Sequence, residues 1–186
     1  MNKNKNTLDE ISTQMTFDLF KCTDFWLIET LGLLSAGQLI GSNLKKVKST
    51  KITMTDFFLK KIPLSIRAIP PFYMLLSYSI ETLLKAVLTS QGKTPEQTHN
   101  LEKLSAECGI GLSNNECKML KAFSAYSIWA GRYPIPKSPI HFDSDNFNEA
   151  PIPWAKNFIR DTIKLIPESN DVVSSLKSQV VRLTNL

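Results

Sequence analysis

The chain has 186 residues, 42% of them hydrophobic, enough to bury one sizeable core without disulfides or metals. Its 7 glycines, 2 histidines and 3 cysteines leave several chemistries short of parts. No GxGxxG and no GxxxxGK followed by Ser or Thr occurs, which removes the glycine-rich phosphate loops. Cys22, Cys108, Cys117, His99 and His141 contain no closely spaced pair of the kind a structural zinc site needs. The balance of 22 basic against 17 acidic residues gives +5.

An odd number of widely spaced cysteines suits a reducing compartment, where free Cys packs as a small hydrophobe. The polar start, Met1 to Asn6, followed by Thr7, Leu8, Asp9 and Glu10, offers no apolar export segment, so a cytoplasmic protein is expected. The most apolar stretch, Ile69 to Leu88, is interrupted by Glu81 and Lys85 and falls short of a bilayer span. No membrane association, no metal and no cofactor is expected.

In chain order, apolar residues at three and four spacings from about Leu8 to Ile40 predict one long helix, or two with a bend near Gly32 to Gly37. Gly41 to Lys51 reads as a polar, basic connector. Lys45, Lys46, Lys48 and Lys51 lie in it, with Lys60 and Lys61 close behind. The ordinary reading is a solvated linker; the functional one is a positive stripe that attracts an RNA or DNA backbone. Thr53 to Lys61 predicts a short helix, with a hairpin open as an alternative.

Pro70 and Pro71 suit the first turn of the best-defined helix. Phe72, Leu75, Leu76, Ile80, Leu83, Leu84, Val87 and Leu88 carry it to Gly92, placed for a left-handed C′ position. A shorter helix spans Leu101 to Cys108 before Gly109, and Ser113 with Glu116 forms a capping box that opens a helix to about Ala130. Beyond Gly131 the prolines 134, 136, 139, 151 and 153 predict a proline-rich arm over residues 137–153. Helical spacing resumes from Trp154 to Ile166, and Ser169 or Asn170 caps a last helix. The pattern predicts a single all-α domain over 1–186, a bundle of six or seven helices with a proline-rich loop between helices.

Three clusters carry candidate chemistry. Glu81 and Lys85 stand four apart in the favourable order for a helix pair, and are expected at the bundle's edge or facing a partner. Thr98, His99 and Asn100 precede a helix, where a cap is the ordinary role. In Trp129-Ala-Gly131-Arg132-Tyr133-Pro134, Arg132 can satisfy carbonyls at a helix end, or hold a phosphate with its planar fork. His141 can then serve as acid or base. Arg132 and His141 are the candidate catalytic pair.

Glu81-x3-Lys85 in a helix, a glycine-ended turn, His99-Asn100-Leu101-x2-Leu104 opening the next helix, and Arg132-Tyr133-Pro134 after a third together resemble HEPN domains, the higher eukaryote and prokaryote nucleotide-binding helical bundles. The resemblance covers roughly residues 70–136, and it lends Glu81, Lys85, His99, Asn100, Trp129 and Tyr133 a family-motif or structural role. It implies an all-α bundle that forms a homodimer, with an origin in toxin–antitoxin, phage-defence or RNA-processing systems, and an antitoxin or nucleotidyltransferase partner. It also implies metal-independent RNA cleavage by an Arg-x4-6-His motif paired across the dimer. This chain departs from that motif: eight residues separate Arg132 from His141, Tyr133 follows the arginine, and three prolines fall in the gap. The departure leaves a divergent ribonuclease and a non-catalytic module that binds a partner protein or nucleotide as two readings.

Overall fold

The computed structural model describes residues 13–15, 18–19, 21–44, 69–130 and 152–185. These form helices joined by turns and short connections, with no strand among the described residues. Residues 45–68 and 131–151 lie outside the described set, so the basic connector, the short helix expected at Thr53 to Lys61 and most of the proline-rich arm do too.

Helix α1 (Thr23–Leu44) begins after a turn in which the Lys21 and Cys22 amides bond the Asp18 and Leu19 carbonyls. The break in the N-terminal helical pattern therefore falls at Lys21–Cys22 and not at Gly32 to Gly37, and α1 continues beyond Gly41. Tertiary packing holds α1 at Gly37 and Gly41, which lie against Leu75 and Phe72, whereas Gly32 faces open space. Helix α2 (Ile69–Ser90) runs antiparallel to α1, with Thr30 opposite Thr82 (Oγ1 to Oγ1, 2.9 Å) and Gly41 against Phe72. A methyl group at Gly41 would come within 2.9 Å of the Phe72 ring. Local glycine cost is about 1 kcal/mol per position, small beside the apolar surface this close approach buries.

Ile80, Leu83, Leu84, Ala86, Val87 and Leu88 are all buried, so α2 is apolar nearly all round, the mark of a central helix. It packs against α1, α3 (Leu101–Glu107), α4 (Asn114–Ala125), the π-helical turn Tyr126–Ala130 that continues α4, and α5 (Ile152–Thr162). A 3₁₀ turn, Ile163–Leu165, follows α5. Helix α6 (Asp171–Asn185) lies on α1 and α5. The predicted arm ends earlier than its prolines suggested: Pro153 sits in the first turn of α5, where a missing N–H costs nothing.

Caps fix the connections that shape the site. Gly92 has φ +75°, and the Lys93 amide returns to the Leu88 carbonyl at 2.9 Å, closing α2 with a Schellman pattern. Gly109, φ +80°, closes α3 in the same way through Ile110 N–H to Ser105 C=O. The capping box of α4 forms as expected: Ser113 Oγ accepts from the Glu116 amide, and the Glu116 carboxylate accepts from Ser113 N–H at 2.8 Å. The Ser113 hydroxyl, donating to Glu116 Oε2 at 2.6 Å, and then the Ser113 N–H hold the Glu116 carboxyl below the ordinary carboxylate range.

The three cysteines are free. Cys108 is buried at the end of α3, with its thiol 3.4 Å from the Leu84 carbonyl, and burial pushes that thiol up to about 12.

Candidate functional site

Glu81 and Lys85 lie one turn apart on α2, as their spacing requires, but not at the bundle's edge. Both are buried, at 4% and 7% exposure, and Lys85 Nζ donates to Glu81 Oε1 at 2.6 Å. The expectation fails because α2 is central, so both sides of this turn are covered by neighbouring elements. Helix α1 supplies part of the cover: Lys85 Nζ stands 5.2 Å from the ring centroid of Trp26. Its charge thus meets a carboxylate and the negative face of an indole.

The second Glu81 oxygen is taken by a residue from the other side. His99 Nδ1 lies 2.8 Å from Glu81 Oε2, across the connection from α2 to α3. Local caps hold the histidine there. Asn100 is the N-cap of α3, its Oδ1 accepting from the Lys103 amide, and Thr98 Oγ1 accepts from the Asn100 amide at 3.1 Å. Tyr78, three residues before Glu81 on α2, meets the imidazole edge-on at 5.7 Å.

Tyr78 also ties this cluster to the end of α4. Its hydroxyl donates to the Ser127 carbonyl at 3.0 Å, inside the π-helical turn. A π turn breaks the ordinary i to i−4 ladder and frees carbonyls for outside partners. The adjacent Ser77 hydroxyl donates to the Phe123 carbonyl at 2.6 Å, and the Leu101 amide donates to Ser124 Oγ at 3.0 Å. Thus α2, the start of α3 and the end of α4 converge within one hydrogen-bonded region.

The ion-paired Glu81 carboxylate can only accept hydrogen bonds, so the 2.8 Å contact puts the hydrogen of neutral His99 on Nδ1. Nε2 then carries the lone pair. The His99 side chain is 46% exposed although its partner is 5% exposed, and among the described residues Nε2 has no hydrogen-bond partner. A carboxylate behind Nδ1 with an open Nε2 is the arrangement that orients an imidazole for proton transfer or ligation. No three His, Cys, Asp or Glu side chains gather into a metal-holding group among the described residues.

The structure therefore brings Glu81, Lys85 and His99 together and gives Asn100 its capping role. Trp129 lies in the π-helical turn. Arg132, Tyr133 and His141, and Lys45, Lys46, Lys48 and Lys51, lie outside the described residues. Sequence reasoning did not single out Trp26, whose 59-residue separation from Lys85 leaves no local trace. Nor did it single out Tyr78, whose position one turn before Glu81 was the available signal.

A second feature lies at the opposite end of the α1–α2 pair. A cavity of about 300 Å³, mostly apolar, is lined by Leu34 and Gly37 of α1, Phe72 and Leu76 of α2, Ile152 of α5 and Leu183 of α6, among others.

Among the described residues no helix is long and apolar enough to cross a membrane. No protein-family model matches the chain, and neither a curated protein nor a solved structure does.

Proposed function

We propose that this chain is a HEPN-like helical protein that binds or acts on RNA, in the setting of a bacterial defence or toxin–antitoxin system, with a divergent Arg/His motif. The observation that carries the reading is the meeting of Glu81, Lys85 and His99. These residues come from two of the three segments behind the resemblance, and they form one network at 2.6 and 2.8 Å. The third segment is represented by the π-helical turn that ends two residues before Arg132 and receives the Tyr78 hydroxyl. Arg132 is proposed to hold a phosphate and the lysines from Lys45 to Lys51 to guide the RNA backbone. The assembly proposed is a homodimer, with an antitoxin or nucleotidyltransferase as partner.

The test is retention of single-stranded RNA by the purified protein as salt is raised. Binding that weakens linearly on a log–log salt plot, and weakens further in Arg132→Ala or with the four lysines neutralised, is the expected result. Wild-type protein that retains no RNA at low salt sinks the reading. Metal-free cleavage abolished by His141→Ala would place His141 in the chemistry.

A specific observation favours a second reading, a non-catalytic module for a partner protein or nucleotide. Lys85 and both Glu81 oxygens are satisfied inside the fold, as in a network that only shapes a surface. Under this reading Arg132→Ala lowers dimer or partner affinity without changing RNA turnover.

A further inference from the structure

We infer that the cavity between α1 and α2 binds a small amphiphile with one negative head, a fatty carboxylate of about ten to twelve carbons, with its tail along α1 and its head at Lys156. This site is separate from the Glu81–His99 network and does not depend on the RNA reading.

Shape points to a chain. Leu33, Leu34, Gly37, Gln38, Gly41 and Ser42 line the cavity from α1, successive turns of one helix face that span about 13 Å of axis. Antiparallel α2 forms the opposite wall with Phe72, Leu76 and Ser79. Drawn out over that length, a volume of about 300 Å³ has a cross-section of about 23 Å², the girth of one extended alkyl chain. An apolar cavity of about 150 Å³ holds one benzene ring, so this one has room for roughly twice as many carbons. Leu34, Leu76 and Ser79 are buried, Gln38 and Lys156 half-buried and Ser42 exposed, so the cavity runs from a polar rim into the core. Native interiors keep few spaces larger than a water molecule, and the cost of one grows with its volume. A ligand that binds the folded chain offsets that cost.

Polarity selects the head. Ser42 Oγ donates to the Leu39 carbonyl at 3.0 Å, Ser79 Oγ to the Leu75 carbonyl at 2.7 Å and Thr184 Oγ1 to the Val181 carbonyl at 2.8 Å. These hydroxyl protons are spent within their own helices. The rest of the polar lining is the Gln38 amide and the Lys156 ammonium. Among the described residues Lys156 is the one charged side chain of the lining, and no carboxylate shares it. An ammonium has three N–H donors, so the contact Lys156 already makes leaves others for a ligand. A cationic head would set two like charges in an apolar cleft, whereas a carboxylate is matched there. The apolar walls thus supply affinity, and Lys156 supplies orientation and choice.

The probe is sodium decanoate, titrated below its micelle concentration into the full chain and followed by methyl NMR. Saturable shifts are expected at Leu34, Leu76, Ile152 and Leu183, with through-space contacts from the probe's chain protons to the same methyls. Lys156→Met keeps the apolar stem and removes the charge; it is expected to weaken decanoate binding about 10-fold or more, and Lys156→Arg to stay within about threefold of wild type. Decanol, the same chain without the charge, is expected to bind wild type about as weakly as decanoate binds Lys156→Met, and to be indifferent to that substitution. Leu76→Trp fills the floor and is expected to abolish binding; if that variant fails to fold, the Lys156 series still decides. Decanoate that binds Lys156→Met as tightly as wild type overturns the inference, as does decyltrimethylammonium that binds as well as decanoate. Shifts centred away from these four residues overturn it too. So does wild type with no saturable binding, the result expected where a second copy or another segment of the chain fills the cavity.

Discussion

The two ends of the α1–α2 pair solve opposite problems. Where Trp26 faces Lys85, two charges are buried inside the bundle and each has a named partner. Where Gly37 and Gly41 face the start of α2, side chains shrink to nothing, and the walls enclose a space of about 300 Å³. One end is overfilled with directed interactions, the other is under-filled with non-directional ones. Stability at the first depends on partners staying present; at the second it depends on volume.

The largest effect that would break this contrast is at Glu81. Glu81→Ala leaves Lys85 buried beside an indole with no counter-charge, and is expected to cost about 3 to 5 kcal/mol by urea unfolding. The double variant Glu81→Leu with Lys85→Met removes both charges and is expected to recover most of that loss. A double variant as unstable as the single would mean the charges are not what the end depends on. At the hollow end, Leu76→Ala enlarges a space that already exists and is expected to cost about 2 to 5 kcal/mol, toward the lower figure because the site starts partly open.

Smaller changes sharpen the comparison. Ser113→Ala removes one half of the α4 capping box and is expected to cost about 1 kcal/mol, a reference value for a satisfied polar group at the surface. Ser105 is the counter-case: its hydroxyl is buried with no hydrogen-bond partner among the described residues. Ser105→Ala is therefore expected to be neutral or to stabilise by up to about 1 kcal/mol, measured in the same urea series.

Cys108 adds a pH dependence. Its thiol ordinarily ionises at 9.0 but is held to about 12 in the fold. The unfolded chain releases that proton first, so the contribution is complete below pH 9 and is lost as pH rises from there towards 12. Unfolding measured from pH 8 to 11 is expected to show that decline in wild type and a shallower one in Cys108→Ala.

Much of the fold was legible because its signals are local. Ser113 and Glu116 announce a helix start three residues apart, and Gly92 and Gly109 mark ends where φ is positive. What was hidden depends on residues distant in sequence. Gly32 and Gly37 read as a bend, yet α1 passes through both, and at Gly37 it lies close against α2, where an added methyl would meet Leu75 at 3.8 Å. Glu81 and Lys85 read as an edge pair or one facing a partner, since i to i+4 charges usually are; the contrary sign was the run of apolar residues around them, Ile80, Leu83, Leu84, Val87 and Leu88, all of which are buried. Of the site, His99 and Asn100 were visible as a cap, while the bond from Nδ1 to Glu81 required knowing how the α2–α3 connection folds back.

The π-helical turn at Tyr126–Ala130 has a geometric consequence. An α-helix advances about 100° of azimuth per residue, so the extra residue a π turn absorbs rotates its last residue by roughly that angle. The chain thus leaves Ala130 pointing about a quarter-turn away from where an uninterrupted helix would aim it. Trimming one residue from this turn would act as a rotary adjustment of the exit direction, leaving the capping box at the far end of α4 untouched.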